Sequence, residues 1–203
     1  MAQVFGEEVS RNEMLERVGD VAQLAGVRAS EIADGKGRGM RALDFYSSGG
    51  LDFRVLPDRA MDISRAAFEG VPVSWLSATG ELAPAFYDKE GLEWLQGVFG
   101  GLLTTCGLAW AGAPTTDEGA ELGLHGRIAN TPAEKVAWGA EWRGDDYVLW
   151  ASGEARETKV FGNKLVLARR IETTLGRPAL TIRDTVTNAG FKPAPHMMLY
   201  HCN

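Results

Sequence analysis

Three histidines, His125, His196 and His201, are the side chains of this sequence best suited to moving a proton near neutral pH. His125 stands in Gly123-Leu124-His125-Gly126-Arg127-Ile128-Ala129-Asn130, directly after the acidic, glycine-containing stretch from Asp117 to Gly123. That context places it where a loop meets a strand, and loops held by a rigid sheet are where functional side chains concentrate. An exposed loop histidine is the plainer reading of the same residue. His201 stands in Leu199-Tyr200-His201-Cys202-Asn203, within apolar, strand-like sequence. Side chains alternate along a strand, so Met197, Leu199 and His201 share one face while His196, Met198 and Tyr200 share the other. His196 and His201 are therefore not expected to serve one site.

A second charged group, Arg59 and Asp62, lies in the apolar run Leu56-Pro57-Asp58-Arg59-Ala60-Met61-Asp62-Ile63. The guanidinium fork can donate to a sugar hydroxyl or ring oxygen, and the carboxylate can accept from a hydroxyl pair. A salt bridge or a turn-stabilising pair would use the same two residues. The two cysteines, Cys106 and Cys202, are far apart and match no zinc or redox spacing, so neither a disulfide nor a metal centre is expected. Cys106, within Leu102-Leu103-Thr104-Thr105-Cys106-Gly107-Leu108, reads as a small buried hydrophobe.

The elements that must hold these residues are mostly strands. Arg41 to Tyr46 and Leu51 to Leu56 flank a Ser-Ser-Gly-Gly turn and read as a hairpin. Tyr147 to Glu154, Lys164 to Thr174 and Ala179 to Asn188 alternate in polarity and are separated by glycine-containing turns, which makes a meander. A meander this long has to bury one face against another sheet, so an all-β, antiparallel β-sandwich is the expected architecture. Residues 1–19 read as an N-terminal arm or short helix and residues 20–203 as one domain. The segment Leu92 to Leu103 starts like a helix, but its glycines would each cost about 1 kcal/mol in a helix interior, so a short helical turn feeding a strand or loop is expected. Its glycines serve either close packing between sheets or close approach of backbone to a ligand.

Composition narrows the partners. With 203 residues, 45% hydrophobic and a formal charge of -6, the chain is ordinary globular material, long enough for one sizeable core or two small ones, and one domain is the better expectation. The acidic balance argues against a nucleic-acid surface, which needs clustered Lys and Arg, and favours an uncharged polar small molecule. The sequence carries no apolar run of the roughly 18 residues a membrane span requires, and its N-terminus lacks the basic-then-apolar order of a secretory signal. A cytoplasmic protein with no membrane partner is expected.

Four blocks, in this order, resemble the aldose 1-epimerase family, and more narrowly a branch of the galactose-mutarotase-like superfamily: Val55 to Ile63, Gly100 to Leu108, Leu124 to Ile128, and Met197 to Asn203. The resemblance implies a large antiparallel sandwich, a galactose-mutarotase-like supersandwich, that binds an aldose monosaccharide in an open cleft on one sheet. It implies His201 as the general acid on the ring oxygen and His125 as a sugar-binding residue, with Arg59, Asp62 and Arg127 as further sugar contacts. No cofactor is implied, because ring opening, rotation and reclosure involve no redox change or group transfer. Family members continue well past the second histidine, and their general-base glutamate comes from that later part, so the sandwich is expected to be incomplete at its C-terminal side. Glu121, Glu134 and Glu154 match no such block and read as solvated charges. A non-catalytic sugar-binding or structural module is the alternative, and an uncovered sheet edge would favour a homo-oligomer.

Overall fold

The computed structural model describes residues 2–4 and 6–203. The chain begins with a small hairpin, β1 (Ala2–Val4) and β2 (Glu7–Val9), and a short helix, α1 (Arg11–Arg17). A capping box starts that helix: Ser10 Oγ accepts from the Glu13 amide at 3.3 Å, and the Glu13 carboxylate accepts from the Ser10 amide at 2.9 Å. This N-terminal segment is integrated into the domain, because Ala2, Val4, Val9 and Met14 belong to the main hydrophobic core.

Strands β3 (Ala25–Glu31), β4 (Arg41–Ser47), β5 (Leu51–Leu56), β6 (Asp62–Phe68) and β7 (Val71–Pro72) form a five-stranded antiparallel sheet in sequence order. The β4–β5 hairpin falls where the Ser-Ser-Gly-Gly turn placed it. Next come β8 (Thr104–Leu108) and a small exposed hairpin, β9 (Thr115–Asp117) with β10 (Ala120–Leu122). The second large sheet is the meander β11 (Glu134–Arg143), β12 (Asp146–Thr158), β13 (Lys164–Thr174) and β14 (Leu180–Asn188). Finally β15 (Met197–His201) pairs antiparallel with β8, setting His201 opposite Thr104 and Tyr200 opposite Thr105. A bridge between Ile63 and Leu103 ties this pair to β6.

The two large sheets meet in one core. Leu43, Phe45, Phe53, Val55 and Ile63 from the first sheet are joined there by Leu149, Ala151 and Ile171 from the second, all nearly or fully inaccessible. Phe45 and Phe53 stack at 4.4 Å between ring centroids, a cross-strand aromatic pair on the inner face of the hairpin. Alternation decides which side chains enter. On β13 the inward row is Leu165, Leu167, Arg169, Ile171 and Thr173, so an arginine that is 2% exposed stands among apolar neighbours. The antiparallel sandwich expected from the alternating segments is thus the observed fold. None of its helices is long and apolar enough to cross a membrane, among the described residues.

Candidate active site

The site is built where the β8–β15 pair meets the loop that follows β10. His125 occupies a left-handed backbone conformation with φ at 57°, and Gly126 follows with φ at 71°. Two consecutive left-handed residues make a sharp turn, and main-chain bonds hold it on both sides. The His125 amide donates to Gly112 O at 2.8 Å, and the His125 carbonyl accepts from the Gly107 amide at 3.1 Å. A Cβ at position 126 would run into the main-chain carbonyls of Trp110 and Gly107, which explains the glycine after the histidine.

This turn presents the His125 ring to two others. The centroids of His125 and His201 lie 5.9 Å apart, with the rings nearly perpendicular. Trp94, which is 4% exposed, meets His125 edge-on at 5.0 Å and lies 6.4 Å from His201. Trp94 comes from the 3-10 turn Glu93–Gln96, the short helical turn expected in that segment. Nothing in the sequence around Trp94 marks its part in the cluster, which comes from where the turn lands. The glycines of the segment pack backbone on backbone: a Cβ on Gly101 would strike the carbonyls of Ile63 and Ser64.

His125 is half-buried, and its Nδ1 is a buried polar atom with no hydrogen-bond partner among the described residues. Burial holds its pKa below the ordinary imidazole value, and the neighbouring His201 pushes it the same way. A neutral imidazole beside a second imidazole can accept a hydrogen bond through one ring nitrogen and donate through the other. Such a pair can hold a hydroxyl-rich ligand and exchange one proton with it.

The other histidine lies apart from the cluster. His196 precedes β15, and its Nδ1 lies 3.2 Å from Leu108 O, so it engages the main chain and not the ring cluster. Arg127 is exposed at the rim beside the His125 turn, with its amide bonded to Gly107 O at 3.2 Å. Near it the Tyr87 hydroxyl donates to Gly126 O at 3.2 Å, and burial raises the Tyr87 pKa while the Arg127 charge opposes the rise.

The structure places Arg59 and Asp62 in the interior, not at a ligand surface. Both have 0% exposure. The Arg59 guanidinium is spent on main-chain carbonyls, and burial lowers its pKa to about 10 despite the Asp62 charge. Asp62 accepts from the Thr105 amide at 2.9 Å, the Thr105 hydroxyl at 2.6 Å and Arg169 at 2.8 Å. Burial pushes its carboxyl upward, and Arg169 and Thr105 pull against that. Arg169 also binds Asp184 at 2.7 Å, and Asp184 in turn accepts from the Tyr200 hydroxyl at 2.7 Å. A polar chain Thr105–Asp62–Arg169–Asp184–Tyr200 therefore fastens β15 to both sheets, one residue from His201. The apolar neighbours of both residues in Leu56 to Ile63 mark them as unusual, but their interior placement follows only from the fold.

The carboxylates considered earlier also find their places. Glu134 pairs with Arg156, Glu154 with Lys135 and Arg156, and Glu121 lies in the exposed β9–β10 hairpin. Cys106 is buried and Cys202 exposed, both as free thiols.

Residues 37–203 match the family model described as a domain of unknown function, DUF4432. The chain belongs to that family. A comparison with curated proteins finds no match. Among solved structures, this DUF4432 chain is similar to one described as a putative aldose 1-epimerase from Klebsiella pneumoniae subsp. pneumoniae, with TM-score 0.80 and 25% identity over 96% of this chain. The match takes up 50% of that structure, so the DUF4432 chain spans half its length. A galactose 1-epimerase from Lactobacillus acidophilus NCFM matches more loosely, with TM-score 0.42 and 11% identity over 72% of this chain and 44% of that one. The likeness to aldose 1-epimerases carried by the four sequence blocks is thus found again in the fold.

Proposed function

We propose that this chain carries the sugar-binding and proton-donating side of an aldose 1-epimerase-like site. The observation that carries the reading is the approach of His125 and His201 to 5.9 Å from segments far apart in sequence, with Trp94 against both. In this reading an aldose lies against the ring cluster, His125 hydrogen-bonds it, and Arg127 contacts a hydroxyl at the rim. His201 gives a proton to the ring oxygen. The bond from that oxygen to the anomeric carbon breaks as a base removes the anomeric hydroxyl proton, leaving an open-chain aldehyde. Rotation and reclosure return the ring-oxygen proton to His201 and the base's proton to the anomeric oxygen, and give the other anomer. An imidazole suits this task because its pKa near 6.5 lets it donate and recover a proton near neutral pH.

A second reading, a module that binds sugar without turning it over, is favoured by one observation. Burial and the neighbouring His201 both hold the His125 pKa down, whereas an adjacent carboxylate would raise it. One experiment separates the two. A panel of aldoses is titrated while the His125 and His201 ring protons are followed by NMR, and anomer exchange is measured by saturation transfer. Shifts at both rings with exchange that is lost in His201→Ala are the expected result. Binding without exchange supports the module, and no aldose moving either ring overturns both.

A further inference from the structure

Arg59 is a fully buried cation whose hydrogen bonds, among the described residues, all go to main-chain carbonyls. Nε donates to Ala129 O at 2.5 Å, Nη1 to Leu82 O at 2.9 Å and Nη2 to Gly97 O at 3.0 Å. The Phe99 ring lies 4.9 Å from the guanidinium carbon and is itself inaccessible. Taking a charge out of water without a carboxylate in direct contact is costly, and an apolar side chain of similar length would fill the same volume more cheaply. What the arginine accomplishes is found in the identity of the carbonyls.

Each belongs to irregular chain, and two belong to the segments that carry the ring cluster. Gly97 closes the turn bearing Trp94, its amide donating to Trp94 O at 2.9 Å. Ala129 lies in the 3-10 turn Ile128–Asn130, which follows directly from the His125–Gly126 turn. The Trp94 turn lies outside the sheets, and the His125 turn is tied to a strand through Gly107 of β8. A guanidinium is a rigid planar fork, so donating to both carbonyls at once fixes their spacing in a way a lysine could not. The chain beneath the fork is built for this direction. Ala60 and Met61, next after Arg59, are both left-handed at φ 52° and 61°, an uncommon pair for residues with side chains. The bend is pinned by Ala60 N to Thr131 O at 3.0 Å and Ala133 N to Pro57 O at 2.9 Å.

We propose that Arg59 is a positioning residue for the ring cluster, a buried clasp that sets the Trp94-bearing turn against the His125-bearing turn. It touches no ligand and acts through the two turns. Only its effect on turnover rests on the epimerase reading; its effect on geometry does not.

The test has four arms. In Arg59→Lys, the ring-current displacement that Trp94 imposes on the His125 ring protons should collapse while the variant stays folded. In the unaltered protein, native-state hydrogen exchange should show the Gly97 and Thr131 amides, one in each turn, opening as a single unit with equal protection. If sugar exchange is observed, Arg59→Lys should slow it by about a hundredfold at saturating sugar, as expected for misplaced groups. Addition of methylguanidinium to Arg59→Gly should restore the His125 signal. The proposal is overturned if the His125 displacement survives in folded Arg59→Lys, or if one turn exchanges freely while the other stays protected. Should Arg59→Lys not fold, the exchange measurement on the unaltered protein still decides. A collapsed His125 signal in a protein that no sugar perturbs would uphold the clasp and defeat the epimerase reading.

Discussion

Replacing Asp62 with asparagine distinguishes an interior anchor from a ligand contact. Oδ1 of Asp62 accepts from the Thr105 hydroxyl and Arg169, and Oδ2 accepts from the Thr105 amide at 2.9 Å. Asparagine offers one carbonyl oxygen. If that oxygen keeps the Thr105 hydroxyl and Arg169, its NH2 group faces the Thr105 N–H, and a buried donor loses its acceptor at a cost of about 1–3 kcal/mol. The bond from Arg169 also loses its charge assistance, about 1 kcal/mol more. Arg169 is not left stranded, because Asp184 still accepts from its Nε and Nη2 at 2.9 and 2.7 Å. Relief from burying a carboxylate offsets part of this. The expected net loss is about 2 kcal/mol, which in a chain of this size lowers Tm by about 4–8 °C. Thermal and urea unfolding, without sugar present, measure it. A loss below about 1 kcal/mol, or an unchanged Tm together with lost sugar binding, would refute the interior assignment and return Asp62 to the cleft.

Two further outcomes follow from the geometry. Glu172 is ringed by Arg143 at 2.7 Å, Arg170 at 2.8 Å and Arg183 at 2.6 Å, and these bonds, Arg143's foremost, hold its carboxyl down to about 2 from an ordinary 4.5. The unfolded chain therefore takes up a proton there before the folded one does. The stabilisation is complete above about 4.5 and disappears as the pH falls through about 2. Urea midpoints of Glu172→Gln should lie below those of the parent near neutrality and converge with them in acid. At Gly126 an alanine meets both a φ of 71° and two main-chain carbonyls, so Gly126→Ala should cost about 2–4 kcal/mol and displace the His125 ring signals. Gly119→Ala, at a similar φ of 78° but in open space, serves as the comparison and should cost only about 1 kcal/mol.

What could be read from the sequence was set by the strength of each local pattern. Strands β12 to β14 show alternation because one face enters the core and the other meets solvent, so burial is written directly into their polarity. Strand β11 has no buried residue and is half-buried at every third position, so its Glu134 to Arg143 run carries no alternating signal. His196 and His201 stand apart, as alternation leads one to expect, but His196 precedes β15 and is engaged by Leu108 O, so strand parity alone does not place it. Arg59 and Asp62 were recognisable as unusual but not as interior, because hydrogen bonding to remote carbonyls and to Arg169 depends on segments that only the fold brings together. Trp94 was hidden for the same reason: an aromatic residue in a short turn becomes part of a site only through where the turn lands.

Strand β15 turns Tyr200 toward the interior ion chain and His201 toward the ring cluster, so adjacent residues serve the core and the site. The proton donor of the proposed reaction therefore has the stiffness of the sandwich and little freedom to follow a ligand. A sugar has to come to the acid. Any tuning toward one aldose over another would then reside in the irregular segments around the strand, such as the rim carrying Arg127, where a residue can change without disturbing the interior. In that division of labour the chemistry would stay constant while the choice of substrate drifts.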